Sequence, residues 1–356
     1  MKIKLLGKTP SQLKEIALEA GLPAYAGGQI AQWLYQKKVS AIDQMTNLSK
    51  TARQTLSQRY EVGVLPVSDC RVSADGTKKY LFPVTCSLRQ GLDRVETERS
   101  EMLEESAVEA VMIPDGERKT LCVSSQAGCR MGCRFCMTGR QGFHGNLSAG
   151  DIISQFLSVE ESDSLTNTVF MGMGEPLDNY DNVIRAVEIL TAPWGFGWSP
   201  KRITLSTIGV LPALKRYLDE TRCHLAVSLH NPFPDERLSL MPVQKAYPLE
   251  EVVSLIRQYD FSGQRRVSFE YTMFSGLNDD KRHADALARM LSGLECRVNL
   301  IRFHKIPDFP YDPSPEPVME LFRDRVSRGG ITATIRASRG EDIYAACGML
   351  AGQHKA

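Results

Sequence analysis

The sequence predicts an α/β fold, in which a parallel sheet or barrel follows a helical module and a short β segment. From Thr120 onward, short apolar runs with strand character alternate with amphipathic helical runs, a pattern typical of parallel sheets. Polar residues stand where several of these strands end, which is the edge where parallel α/β proteins bind ligands. A length of 356 residues accommodates a large barrel with an added module.

Residues 1–65 are predicted to form an N-terminal helical domain. Thr9 followed by Pro and Ser is a typical helix start. Two groups of apolar residues follow with helical spacing: Leu13, Ile16 and Ala17, then Ile30, Trp33 and Leu34. Residues 1–61 carry nine Lys and Arg against four Asp and Glu. This domain is therefore expected either to contact a nucleic-acid backbone or to serve as a plain docking module.

Residues 66–115 are predicted to form a small connecting β region. The runs 78–85 and 109–114 have strand character, and Gly116 marks a turn after the second run. The stretch 92–109 that lies between them is strongly acidic. We expect the barrel domain to span residues 116–356.

Strands and helices alternate through this last domain. The strands are expected at 121–124, 168–174, 202–207, 224–230, 267–273, 297–303 and 331–335. The helices are expected at 151–159, 182–190, 211–218, 249–259 and 283–291. The polar residues at the strand ends are Ser124, Glu175, Ser206, His230 and His304.

Composition narrows the class of protein and its location. The hydrophobic share of 42% and the charged share of 24% are ordinary for a soluble globular protein. The sequence has no apolar run of the roughly 18 residues that a membrane helix needs, and its N-terminus lacks a signal-peptide core. Five of its nine cysteines are scattered and four cluster, which is not a disulfide framework. We therefore expect a cytoplasmic protein that does not bind membranes.

The clustered cysteines carry the strongest chemical signal. Cys129, Cys133 and Cys136 form a C-x3-C-x2-C motif. Three such thiolates can hold a four-iron cluster and leave one iron open to a small molecule. Zinc is the alternative ion, but it would need a fourth ligand such as Cys122 or His144. The iron–sulfur interpretation is favoured because the sequence has no second C-x2-C pair next to this motif.

The motif, with Phe135 before its last cysteine, resembles the signature of radical S-adenosylmethionine (SAM) enzymes. Further segments resemble the RlmN/Cfr family of ribosomal RNA adenine methyltransferases, among them Cys122-Val-Ser-Ser-Gln, Met171-Gly-Met-Gly-Glu-Pro, Ser228-Leu-His and Arg339-Gly-Glu-Asp-Ile-Tyr-Ala-Ala-Cys. The similarity extends over nearly the whole chain. It implies a partial (β/α)6 radical SAM barrel, a 4Fe–4S cluster bound by Cys129, Cys133 and Cys136, and two SAM molecules per turnover.

The resemblance also implies three catalytic residues. Cys347 matches the cysteine that receives a methyl group from one SAM. Cys122 matches the cysteine that later forms a disulfide with it to release the product, and Glu109 matches the base that removes the adenine proton. Each has a simpler interpretation without the resemblance: the cysteines would be small buried residues, and Glu109 a solvated acid.

Cofactor contacts follow from the same comparison of motifs. Gly174 and Glu175 match the segment beside the methionine ammonium group, where a glycine would let the backbone approach and Glu175 could accept hydrogen bonds. The other implied SAM contacts are Ser206, Ser228, Leu229, His230 and His304. His304 departs from the family pattern, which usually has asparagine there, so its role as a contact is the least secure.

The family methylates adenine in RNA, and two positions on the ring are open. RlmN-type members modify C2 of adenosine 2503 in 23S rRNA, and some also modify adenosine 37 of tRNA; Cfr-type members modify C8 of the rRNA adenosine. Ser338-Arg-Gly-Glu-Asp resembles the C2 type and Ser206-Thr-Ile-Gly the C8 type, and we favour C2.

The expected partners are 23S rRNA, tRNA and an electron donor such as flavodoxin or ferredoxin, with the chain itself a monomer. Arg130, Arg134 and Arg140 near the cysteine motif are candidate RNA-backbone contacts. A non-catalytic zinc protein that binds RNA remains the alternative from a different class. It explains the basic segments and clustered cysteines, but not Cys347 and Glu175.

Overall fold

Twelve strands join in one mixed sheet in the computed structural model, which describes residues 2–87, 103–261, 263 and 265–352. The strands are β1 Ile3–Lys4, β2 Tyr60–Glu61, β3 Asp69–Val72, β4 Lys78–Ser87, β5 Leu103–Asp115, β6 Arg118–Cys122, β7 Gln126–Gly128, β8 Phe143–Asn146, β9 Asn167–Phe170, β10 Ile203–Thr207, β11 His224–Ser228, β12 Val267–Met273, β13 Cys296–Arg302 and β14 Thr332–Ile335. Strands β1 and β2 form a separate parallel pair.

The α-helices are α1 Pro10–Glu19, α2 Ala26–Ala31, α3 Lys50–Arg59, α4 Met137–Arg140, α5 Ala149–Ser158, α6 Tyr180–Thr191, α7 Leu211–Glu220, α8 Pro234–Leu240, α9 Leu249–Ile256, α10 Lys281–Leu291 and α11 Glu316–Arg328. Helix α2 continues directly as a π-helix over Gln32–Gln36. Among the described residues, no helix has the length and apolar character needed to cross a membrane.

The predicted partial (β/α)6 barrel is confirmed. Strands β6, β9, β10, β11, β12 and β13 pair in parallel in that order, and each is followed by a helix, namely α5, α6, α7, α9, α10 and α11. Strand β14 adds a seventh parallel strand beside β13. Strands β9 and β10 alternate between buried and less buried residues, whereas β11 and β12 are buried along most of their length, as expected for a parallel sheet that is covered on both faces.

The connecting segment extends this same sheet. Strand β5 pairs antiparallel with β6, β4 pairs with β5, and β3 pairs with β4. The turn between β5 and β6 contains Gly116 at φ 58°, as its position in the sequence predicts. Most of the acidic stretch, residues 92–102, lies outside the described residues. The predicted boundaries at 65/66 and 115/116 stay predictions.

Local signals explain where the helices begin. Thr9 caps α1 in a capping box with Gln12, Pro10 is the first helical residue, and the predicted face of Leu13, Ile16 and Ala17 is buried. Ser148 and Asp151 form the same device at α5. Helices α4, α8 and α11 have no counterpart among the predicted helices, and α3 lies within the predicted helical domain. Proline stands in the first turn of α8 and of α11.

The N-terminal domain docks on α5 through close backbone contact. Lys4 Nζ lies 3.1 Å from Asp151 Oδ1, and the Leu65 amide donates to Ser154 Oγ at 3.1 Å. A Cβ atom added to Gly150 would lie 2.5 Å from the Leu6 carbonyl oxygen. The interface therefore requires glycine at that position of the helix.

Gly150→Ala is expected to destabilise the protein by about 1–3 kcal/mol, because the Leu6 backbone must shift to admit the methyl group. Denaturant unfolding would measure the change. Gly28→Ala is the matched control: Gly28 is an exposed helical residue whose added Cβ meets nothing within 4 Å, so alanine should stabilise by about 0.5–1 kcal/mol. Equal effects of the two substitutions would contradict the docking contact.

Candidate active site

A cavity opens at the carboxyl ends of the parallel strands, and its free space, including the part that is open to solvent, is about 960 Å³. It gathers residues that are far apart in the sequence. Of the predicted site residues it is lined by Cys129, Cys133, Cys136, Gly174, Glu175, Ser206, Ser228, His230 and Cys347.

The three motif cysteines sit on a loop between β7 and α4. The Cys129 amide donates to the Gly142 carbonyl at 2.7 Å, and the Cys136 amide donates to the Cys133 carbonyl at 3.2 Å, so the loop has its own hydrogen bonds. Burial raises the pKa of the Cys129 thiol to about 12 and that of Cys133 well above its usual value. These thiols will ionise only when a metal replaces their protons.

The donor set fits an iron–sulfur cluster. Three thiols line one side of a cavity that has room for a further ligand, and a four-iron cluster held in this way keeps one iron open. Within the described ranges, no three His, Cys, Asp or Glu side chains form a group that could hold a single metal ion.

Glu175 is a buried carboxylate with both oxygens in use. Oε1 accepts from the Leu177 amide at 3.0 Å, and Oε2 accepts from the Ile208 amide at 2.9 Å. Burial raises its pKa to about 7, against the opposing effect of these hydrogen bonds. Gly174 is at φ 100°, and a Cβ atom added to it would lie 2.5 Å from the Gln126 Cβ atom, so the fold itself requires glycine there. The approach of SAM to Gly174 stays a prediction.

His230 is held as a neutral ring with a defined tautomer. Its Nδ1 accepts from the Thr272 amide at 3.0 Å, so the ring proton is on Nε2. Burial, together with a smaller effect of the Arg237 charge, lowers its pKa to about 3. Residue 230 has φ 57°, which ends β11 at Ser228, two residues earlier than predicted.

A buried arginine that the sequence analysis missed fixes this strand end. Arg237 donates from Nε to the Leu229 carbonyl and from Nη2 to the Ser228 carbonyl, both at 3.0 Å. Leu229 is therefore placed through its backbone, and its side chain does not line the cavity. Burial lowers the pKa of Arg237 to about 10, which leaves the guanidinium charged.

The segment of residues 340–352, which we call the C-terminal segment, brings Cys347 to the cavity. The Met137 amide donates to the Gly348 carbonyl at 2.8 Å, and Thr138 Oγ1 donates to the Leu350 carbonyl at 2.7 Å. Both donors belong to α4, next to Cys136. The Cys347 side chain keeps solvent-accessible surface because it faces the cavity.

Cys122 lies close enough to Cys347 for the two thiols to interact electrostatically. Burial raises the pKa of Cys122 to about 12, and the charge of Cys347 adds to the increase. The protein atoms around Cys347 desolvate its thiol and raise its pKa, although the side chain keeps exposed surface toward the cavity, and the Glu270 carboxylate is the next cause. All nine cysteines are free thiols in this structure.

Glu109 lies on β5 and is fully buried, which excludes its interpretation as a solvated acid. Its Oε1 lies 2.9 Å from Nζ of the buried Lys79. Its Oε2 accepts from the amides of Ala351 and Gly352 at 2.8 and 3.2 Å. Glu109 therefore binds the C-terminal segment beside the cavity, and it is not among the residues that line the cavity.

His304 also faces the C-terminal segment. Its Nε2 lies 3.1 Å from Ser338 Oγ, and its Nδ1 lies 3.3 Å from Glu341 Oε1. It does not line the cavity, so its role as a cofactor contact stays a prediction. The sequence analysis missed Glu270 and Lys79. Glu270 could have been recognised because it is a charged residue inside an apolar strand, whereas no sequence pattern singles out Lys79.

The barrel and its three-cysteine loop define a radical SAM enzyme. The family model described as "Radical SAM superfamily" matches residues 123–287, which include the cysteine motif and most of the parallel strands. A second model, described as "Ribosomal RNA large subunit methyltransferase N-terminal domain", matches residues 3–62.

Relatives that match this chain over nearly its full length narrow the class of enzyme. "Probable dual-specificity RNA methyltransferase RlmN" of Porphyromonas gingivalis is 56% identical over 98% of this chain and 94% of its own. The protein of the same description from Parabacteroides distasonis is 56% identical over 98% and 96%. The crystal structure of a radical SAM methyltransferase from Sphaerobacter thermophilus superposes with a TM-score of 0.88, at 36% identity over 99% of this chain and 100% of that one. The chain belongs to the RlmN family of radical SAM methyltransferases, which sets aside the non-catalytic zinc protein.

Lys79→Met is expected to destabilise the protein by about 3–5 kcal/mol, because it leaves the buried Glu109 carboxylate without its cation. The same change also removes the hydrogen bond from Lys79 Nζ to the Tyr344 carbonyl. Denaturant unfolding measures the loss, and limited proteolysis should cleave the C-terminal segment faster.

Lys305→Met is the matched control. Lys305 pairs with Asp312 on the surface, where both side chains are about two-thirds exposed, so its loss should change stability by less than about 0.5 kcal/mol. The account of the Glu109 site is contradicted if Lys79→Met is as mild as this control.

Proposed function

We propose that this chain methylates C2 of an adenine in RNA, with adenosine 2503 of 23S rRNA as the main target and adenosine 37 of tRNA as a second one. The observation that carries the proposal is that Cys347 faces the same cavity as the three motif cysteines. The relatives at 56% identity, which carry the RlmN description, favour the C2 position over C8.

The cavity residues divide naturally between two bound groups. Cys129, Cys133 and Cys136 would hold a 4Fe–4S cluster, and Glu175 would accept hydrogen bonds from the methionine ammonium of SAM. Ser206, Ser228 and the Nε2–H of His230 supply polar groups for the rest of SAM. When bound, the cluster supplies the electron that cleaves SAM and generates a 5′-deoxyadenosyl radical.

Two neighbouring thiols suit a reaction in which one cysteine carries the methyl group and the other releases the product. Adenine C2 is an electron-poor carbon that cannot attack a methyl sulfonium directly. Cys347 would take a methyl group from one SAM and supply its carbon to the ring. After the adduct has given up one electron and the ring proton, Cys122 would attack the Cys347 sulfur to form a disulfide. The bond between this sulfur and the ring-attached carbon would break, and that carbon would take a proton and leave as the methyl group of the RNA. A reductant would then restore both thiols.

Glu109 would remove the proton from the adenine ring. In this structure its Oε2 already accepts hydrogen bonds from Ala351 and Gly352. The proposed role therefore requires the end of the C-terminal segment to move when RNA enters. The target base must also leave its stack to reach a cavity of this depth.

The surface offers fewer RNA contacts near the motif than the sequence indicates. Arg130 pairs with Asp178 at 2.9 Å, and Arg140 pairs with Asp308 at 3.2 Å. Arg134 is exposed, and its side chain has no partner among the described residues. We propose Arg134 and the basic N-terminal domain as the backbone contacts.

The remaining partners are proposed on chemical grounds. The reaction needs a small electron-transfer protein, such as flavodoxin or ferredoxin, and the chain is proposed to act as a monomer. Nine free thiols suit the reducing environment of the cytoplasm, which we propose as its location.

The direct test is anaerobic turnover of the reconstituted protein with an rRNA fragment, followed by nucleoside analysis. We expect about four irons per chain, 5′-deoxyadenosine and 2-methyladenosine. A product methylated only at C8 would contradict the proposed position, and one zinc without iron would contradict the chemistry.

Substitution of each cysteine in turn distinguishes the methyl-carrying role of Cys347 from the product-releasing role of Cys122. Cys347→Ala should abolish both S-methylcysteine in the protein and RNA methylation. Cys122→Ala should keep the methyl carrier but accumulate RNA bound covalently to the protein, which denaturing gels would show. Cys223→Ala, at a buried cysteine remote from the cavity lining, is the control and should retain turnover. Free RNA product from Cys122→Ala would contradict its role.

The affinity for SAM is expected to fall as the pH drops through about 7. The SAM ammonium favours the ionised carboxylate of Glu175, and burial raises the pKa of that group to about 7, so protonation below this pH removes the interaction. The loss should approach about tenfold per pH unit. Equilibrium binding to anaerobic holoprotein at pH 6 and 8 would measure it. Glu175→Gln should bind weakly at both values; a wild-type affinity that is equal at both would contradict the contact.

A further inference from the structure

The first chemical step of the proposed function releases a proton inside the cavity. A Cys347 thiol that takes a methyl group loses its hydrogen, and burial raises the pKa of this thiol. A bound SAM would fill the space in front of it and exclude water. The proton therefore needs an acceptor among the cavity residues.

Three ionisable side chains other than cysteines line the cavity within the described residues: Glu175, His230 and Glu270. His230 cannot accept, because its Nδ1 is occupied by the Thr272 amide and its Nε2 carries the ring proton. Glu175 uses one oxygen for the Leu177 amide and the other for the Ile208 amide. Protonation of Glu175 would break a backbone hydrogen bond.

Glu270 differs because one of its oxygens is open. It lies in the middle of β12 and is 6% exposed. Ser268 Oγ and Asn299 Nδ2 both donate to Oε1, each at 2.8 Å. Within the part of the chain that the structure describes, Oε2 accepts no hydrogen bond. Asn299 is itself fixed by Thr334 Oγ1 at 3.1 Å, so the carboxyl group is held in one orientation.

Glu270 and Cys347 line the same cavity, and the charge of the carboxylate acts on the thiol. After burial, Glu270 is the largest influence that raises the pKa of Cys347, whereas Arg336 lowers it and Cys136 raises it. Burial also raises the pKa of Glu270, and Arg336 opposes that effect. A raised carboxyl pKa lies closer to the pKa of the thiol, which makes Glu270 a better proton acceptor.

We propose that Glu270 accepts the proton of the Cys347 thiol as the sulfur attacks the methyl group of SAM. The bond between methyl carbon and sulfonium breaks as the bond between methyl carbon and the Cys347 sulfur forms. The products are S-methylcysteine, S-adenosylhomocysteine and a protonated Glu270, with no oxidation or reduction. This assignment rests on the proposed function and adds a catalytic residue to its first step.

The test measures methyl transfer to Cys347 alone. Anaerobic holoprotein with unmethylated Cys347 is mixed with methyl-labelled SAM, without reductant or RNA, and S-methylcysteine at residue 347 is followed by peptide mass spectrometry. Glu270→Gln should slow this step about 10²- to 10⁴-fold at neutral pH. Its rate should then rise about tenfold per pH unit, since only solvent hydroxide can take the proton. The wild-type rate should level off with rising pH.

Two further variants control for structure. Glu270→Asp keeps a carboxylate and should keep the levelling pH profile at a reduced rate. Glu320→Gln makes the same chemical change at an exposed position of α11 and should behave as wild type. SAM binding by equilibrium dialysis should be retained in all three variants.

The outcomes are distinguishable. Wild-type protein that never forms S-methylcysteine at residue 347 would overturn the proposed function and this step with it. Methylation in wild type with an unchanged rate and pH profile in Glu270→Gln would overturn the role of Glu270 alone. A loss of SAM affinity that accounts for the whole effect would also overturn it, because Glu270 would then be a binding residue.

Discussion

The site depends on how the C-terminal segment is held. Its backbone is bound on one side by Met137 and Thr138 of α4, and on the other side by the buried pair of Lys79 and Glu109. These contacts place the Cys347 thiol in the cavity that the three motif cysteines line. A buried ion pair is costly to break, so the segment is fixed in this state, yet the proposed role of Glu109 requires part of it to release. The same contacts therefore hold the site in its arrangement without RNA, and the RNA must displace some of them when it binds.

Burial is the second constraint, and it shifts the pKa values of Glu175, His230 and Glu270 in the cavity. An unpaired charge is unfavourable in the low-polarity interior of the protein. The buried charged side chains of this site are therefore hydrogen-bonded mainly to backbone groups. Arg237 is bound by the carbonyls at the end of β11, and Glu175 by amides at the ends of two loops. The side chains that would meet SAM are thereby placed by the strand ends themselves. Glu270 is the exception with one open oxygen, which is why it stands out as a proton acceptor.

Much of the fold could be predicted from the sequence, because its strands and helices carry clear periodic patterns. The predicted bounds of β12 match the observed ones, because the residues at the ends of its apolar run have no unusual backbone conformation. The predicted strands β9 and β11 are too long, because the backbone bends over residues 172–174, with Gly174 at φ 100°, and His230 has φ 57°. Hydrophobicity does not indicate either feature. The cysteine motif and Cys347 followed from spacing and family resemblance. Lys79 and Arg237 did not, because their importance comes from burial and from partners distant in sequence.

The central claim is that the methyl carbon attached to Cys347 is the carbon delivered to RNA, after the radical made in the same cavity has taken one of its hydrogens. Holoprotein whose Cys347 carries a trideuteromethyl group would be reduced anaerobically with unlabelled SAM and an rRNA fragment. The account predicts one deuterium in the released 5′-deoxyadenosine and two deuterium atoms in the methyl group on adenine. Methylated RNA formed together with unlabelled 5′-deoxyadenosine would contradict it.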